Sequence, residues 1–177
     1  MAEATANPKE TDAELRRSFR EYESGIAFDN ARRAAVFAGV FMFAGTSLDW
    51  VIIPDRGVDF LLIRSISAIL LGLIFWYLGM ARHSSQATIV AQGIALLPLV
   101  SICIMIAVTE GGNSVYYAGL SLVLVGLSLL LRWTFWNSLV MILLTFACYA
   151  LAVILSPTLS DPRILYGNFY FLFATSV

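Results

Sequence analysis

The feature that most constrains this chain is a series of long apolar runs separated by short polar breaks. Five runs, Ala34 to Ile53, Phe60 to Met80, Ala87 to Val108, Val115 to Leu131 and Thr134 to Leu155, hold 17 to 22 residues each, and a sixth, Ile164 to Val177, holds 14. About 20 apolar residues rising 1.5 Å apiece cross the ~30 Å hydrocarbon layer of a bilayer. Only Asp49 and Arg64 carry charge inside the six runs. Lipid offers no partner to backbone N–H and C=O groups, so segments of this kind must be helical. The expected fold is an all-α membrane protein, a six-helix transmembrane bundle preceded by a cytoplasmic amphipathic helix. The sixth run stops inside what should be a spanning helix. The sequence is therefore read as a piece of a longer protein whose last helix continues into a cytoplasmic output domain.

Composition narrows the function classes. Residues are 59% apolar and 13% charged, against roughly a quarter charged in an ordinary soluble domain. Too few polar groups exist to cover a globule in water, which excludes a soluble enzyme, a disordered regulator and a nucleic-acid binder. One histidine and two cysteines exclude a multi-histidine metal site and a disulfide framework. Lys9 is the last lysine in the chain, so a retinal Schiff base is excluded. With no carboxylate or histidine near a helix midpoint, a proton relay or intramembrane hydrolase lacks its working groups. This chain is not expected to be an enzyme by itself, and no metal is expected.

Residues 1–33 form a distinct segment. They hold six of the eleven basic residues and seven of the twelve acids. Thr11-Asp-Ala-Glu14 fits a capping box, and Leu15, Phe19, Tyr22 and Ile26 follow at steps of four, three and four, one helical face. An amphipathic helix over residues 12–30 is expected, lying at the membrane surface or against a partner copy. The transmembrane sensor domain is then 34–177. With the N-terminus inside, the inner segments 1–33, 81–86 and 132–133 hold eight basic residues including Arg82 and Arg132, and the outer segments hold Arg56 and Arg163. Asp49, Asp55, Asp59, Glu110 and Asp161 all fall on the outer side. The positive-inside rule gives a cytoplasmic N-terminus in a multi-pass protein of a bacterial inner membrane.

Asp49 and Arg64 lie four residues from the facing ends of two helices joined by a short turn, and so reach the same depth. An ion pair locking the hairpin is the structural expectation, and a polar floor for a ligand headgroup is the functional one. Ser65, Gly72 and Gly79 recur every seven residues, as do Gly119 and Gly126. Such seams pack helices within one bundle or between two copies. Pro98 is expected to kink the third helix. Cys103 and Cys148 read as small hydrophobes or, less simply, as a redox pair. Gln92 and Thr145 can bridge helices, and Trp50, Trp76, Trp133 and Trp136 suit aromatic belts.

The loop Thr109-Glu-Gly-Gly-Asn-Ser114, followed by Val115, Tyr116 and Tyr117, is the most informative stretch. Two glycines allow a tight turn. The tyrosines are expected at the bilayer entry of the fourth helix with hydroxyls toward water. From Glu110 to Leu120, and on into Leu129-Leu-Leu-Arg-Trp133, this region resembles the third-to-fourth-helix region of bacterial six-helix membrane sensors. These are the N-terminal input modules of sensor histidine kinases, and similar bundles precede nucleotide cyclases. The resemblance implies a dimeric sensory module of a two-component receptor, with Glu110, Gly111, Gly112, Tyr116 and Tyr117 as candidate ligand-binding residues. In the redox-responsive branch the loop is thought to bind ubiquinone, with a proline where this chain has Val115 or Tyr116. The residues themselves call for no cofactor, and the quinone is implied by the resemblance alone. The competing functions are the regulatory domain of a cyclase, a small transporter or channel subunit, and a membrane anchor.

Overall fold

The computed structural model describes residues 8–80, 87–131 and 133–176. Arg82 and Arg132 lie outside the described residues. The described residues form six α-helices: α1 (Pro8–Ile52), α2 (Gly57–Met80), α3 (Ala87–Val108), α4 (Tyr117–Leu130), α5 (Phe135–Leu155) and α6 (Pro162–Ser176). Two 3-10 turns, Pro54–Arg56 and Gly111–Asn113, close the α1–α2 and α3–α4 connections. Among the described residues there is no strand.

The first helix differs from the expectation. The segment over residues 12–30 is no separate surface helix, because α1 runs unbroken for 45 residues from Pro8. The reason is local. Proline suits the first turn of a helix, where its missing N–H would be unpaired anyway. Between there and Ile52 the sequence offers no second proline, and Gly25, Gly39 and Gly45, each isolated, do not stop a helix. Leu15, Phe19 and Tyr22 stand exposed on this extension.

Four spans are long and apolar enough to cross a membrane, lying within Glu14–Ile52, Pro54–Met80, Ile89–Val108 and Phe135–Leu155. Helix α4, with 14 residues, is shorter than its apolar run. Val115 and Tyr116 are spent in the turn that starts it, and Leu131 lies past its end. Large apolar side chains such as Val51, Leu129 and Ile154 are more than three-quarters exposed, an outer surface suited to lipid rather than water.

Helix α3 is the centre of the bundle. Just over half (56%) of its apolar window is buried, against 22% for α2 and α5, and it packs on α1, α2, α4 and α5. Two apolar clusters are stacked along the bundle. One joins Ala34, Leu71, Leu78, Ile94, Ala95 and Met141. The other joins Phe60, Leu99, Met105, Ile106, Leu120, Tyr149 and Leu172 and lies toward the end that carries both 3-10 turns, here termed the cap. Pro98 is buried inside α3. Of the small-residue seams, Gly119 faces Ile102 of α3, whereas nothing lies within 4 Å of a side chain built on Gly72, Gly79 or Gly126. Among the described residues, Gly72 and Gly79 of the α2 seam thus make no close helix contact.

Candidate functional site

The cap holds two polar clusters, and one loop joins them. The first is built on α1 and α2. Arg64 donates from Nε to Asp49 Oδ2 at 2.6 Å and from Nη2 to Oδ1 at 3.0 Å, a bidentate fork. Both residues are buried, Asp49 completely. The tight turn at Pro54–Arg56 makes α1 and α2 antiparallel neighbours and sets the two charges level, so their attraction offsets the cost of taking each out of water. Arg64 Nη1 also lies 3.8 Å from Met42 Sδ. Met42, Gly45 and Asp49 follow at steps of three and four, so one face of α1 meets the guanidinium. Gly45 is what makes room: a Cβ there would stand 2.6 Å from Arg64 Cζ.

Asp49 has a second partner. The Tyr116 hydroxyl donates to Oδ1 at 3.0 Å. The expectation that this hydroxyl faces water is therefore corrected: Tyr116 is buried, with its ring edge-on to Phe60 at 5.5 Å. The turn before it turns the side chain inward. Thr109 Oγ1 donates to the carbonyl of Met105 and lies 3.2 Å from Ser114 Oγ, which in turn accepts the Tyr116 N–H. Ser114 thus takes up an orphan donor of the α4 N-terminus. Three hydrogen bonds on one carboxylate satisfy a charge that would be prohibitive alone in the apolar interior.

The second cluster locks the glycine turn to α5 and α6. The Gly112 N–H donates to Ser160 Oγ at 2.8 Å, and its carbonyl accepts from Asn168 Nδ2 at 2.7 Å. Asn168, buried on α6, also lies 3.0 Å from the Tyr149 hydroxyl of α5. Asn113 Oδ1 accepts the Asp161 N–H. Both glycines have a steric reason. Gly111 has φ +58, a conformation L side chains seldom adopt, and a Cβ there would sit 2.7 Å from Ser156. At Gly112 a Cβ would sit 2.7 Å from Ser160 Oγ.

The candidate residues therefore divide. Asp49, Arg64 and Tyr116 meet in one cluster. Gly111 and Gly112 are buried beneath the α5–α6 connection. Glu110 is exposed, and Tyr117 is half-buried, edge-on to Phe171 of α6 at 6.4 Å. Met42, Gly45, Ser114, Tyr149, Ser160 and Asn168 complete the cap and were not foreseen. Asn168 carried a usable signal as the one amide in an otherwise apolar sixth run. Cys103 and Cys148 belong to the same apolar cluster, on α3 and α5. The Gly112 N–H and Tyr116 O–H are given to Ser160 and Asp49.

Among curated proteins and among solved structures, nothing matches the chain. The family model MASE8 matches residues 47–177, a stretch that holds Asp49, Arg64 and the whole glycine loop. The chain belongs to the MASE8 family of membrane-associated sensory domains.

Proposed function

We infer that this chain is the transmembrane input module of a bacterial signalling receptor, with a cytoplasmic N-terminus in the inner membrane, acting as a homodimer on a histidine kinase output. One observation supports it most. The loop 110–117 touches the α1–α2 ion pair through Tyr116 and α6 through Gly112 and Tyr117. A stimulus that moves this loop must move both, and α6 is the helix that would lead to the output. Glu110 and Tyr117 are the groups a small stimulus can reach at the cap. Gly111, Gly112 and Tyr116 pass the displacement inward.

Such a stimulus, a small lipophilic ligand or a change in the membrane itself, must favour one position of α6 over another, or it shifts nothing. Packed helices have discrete arrangements, so a sub-ångström change at the cap can select between them. The test is alanine replacement of Glu110, Tyr116 and Tyr117 in the full-length receptor, reading autophosphorylation. Altered basal output or lost response is expected. Unchanged output and response in a folded protein would leave only an anchoring role, and nucleotide cyclisation in place of autophosphorylation would reassign the output.

A further inference from the structure

Helix α1 carries one seam along most of its length. Leu15, Phe19, Tyr22 and Ile26 begin it, Asp29 and Arg33 continue it, and Val36, Val40 and Phe43 complete it. The steps alternate four and three throughout, a strict seven-residue repeat over about four heptads. Ile26 is half-buried, and every other residue of the seam is exposed. Its second half borders an open groove of about 290 Å³, lined by Val36, Gly39, Val40 and Phe43 of α1 and by Ala68 and Gly72 of α2. A side chain at Gly39 or Gly72 would meet nothing within 4 Å. The first half leaves the bundle. Arg32 lies over the Phe75 ring at 4.6 Å and α2 ends at Met80, so Leu15, Phe19 and Tyr22 project past the end of α2.

We propose that this seam is a homodimer interface, in which two α1 helices pair in parallel over residues 15–43, as a coiled coil in water that continues along the α1–α2 groove in the bilayer. It rests on the homodimer reading above and supplies that dimer's contact surface. Lipid cannot be the cover. Leu15 stands 19 residues before the first apolar run, about 28 Å at 1.5 Å per residue, whereas the headgroup layer is only ~5–7 Å deep. Left in water, a row of large apolar side chains 59–68% exposed is a contact surface without its partner. A strict heptad seam is matched by a second helix of the same repeat. That helix must follow the seam from water into hydrocarbon, which a soluble partner cannot do and a second α1 does. Two copies inserted the same way set their α1 helices parallel. A two-fold axis then places Asp29 of each copy beside the partner's Arg33, so the polar positions of the seam neutralise one another.

The test uses the full-length receptor in native membranes. The photo-crosslinking amino acid p-benzoylphenylalanine replaces Tyr22, on the seam, or Ser24, on the opposite side of α1, and single-molecule photobleaching of a fluorescent tag counts the copies separately. Illumination should give a receptor dimer from position 22 and none above background from position 24. Asp29→Arg or Arg33→Asp alone should lower that dimer by about 3- to 10-fold, as two exposed attractions become repulsions. The two changes together should restore it. Suppose the receptor counts as two copies but position 22 does not cross-link, cross-links only within its own chain or to a different protein, or gains nothing from the double swap. Any of these would overturn the interface and leave the homodimer standing. A receptor that counts as one copy would overturn both.

Discussion

Gly45 stands one turn before Asp49 on α1, and the guanidinium of Arg64 occupies the space that a side chain at Gly45 would need. The ion pair is thus a three-residue device: an acid, a base and a gap. A methyl at position 45 must push the guanidinium off its fork. Gly45→Ala should destabilise the folded chain by about 1–3 kcal/mol, the usual range for overpacking. The same change should be nearly neutral when Asp49 and Arg64 are both leucine, because nothing then fills the gap. Reversible unfolding in mixed micelles measures both.

The pair itself should behave as a buried ion pair. Asp49→Leu or Arg64→Leu alone leaves an uncompensated charge in the bundle and should cost about 3–5 kcal/mol. The double leucine variant should recover most of that loss, since two apolar side chains need no hydration. Equal losses in the single and double variants would mean that packing, rather than charge, holds the hairpin.

The glycine turn gives a steric test. Gly111→Ala forces a left-handed backbone on an L residue and meets Ser156. Backbone strain alone is worth about 1–3 kcal/mol. Adding Ser156→Gly should relieve the contact and return part of the loss, leaving the backbone share. Thermal denaturation in detergent would show it as a partial recovery of Tm.

How much of this was legible beforehand follows from the physics of each residue. The ion pair could be read because charges are rare in apolar runs and a short turn fixes their level. Gly45 could not, since a glycine in a lipid-facing sequence has many uses and only the arginine's rotamer reveals this one. The Tyr116 hydroxyl was misdirected because position at a helix entry says nothing of rotation, which Ser114 and the carboxylate decide here. The glycine loop was legible as a turn. Its clamp was not, because Ser160 and Asn168 come from 48 and 56 residues downstream. The unbroken α1 was misread at a change of composition, which ends a helix only where a breaker accompanies it. The α4 run promised more helix than its turn leaves.

The most direct measurement is a double-mutant cycle on output activity of the full-length receptor, with Tyr116→Phe releasing Asp49 and Asn168→Leu releasing Gly112. Both groups pull on one short loop, so their effects should be strongly non-additive. A coupling of about 0.5–3 kcal/mol, typical of residues sharing a network, is expected, with the double variant close to the stronger single one. Two independent, additive effects, or no change in output from either variant while the protein stays folded, would contradict a link from the ion pair to α6 through the glycine loop.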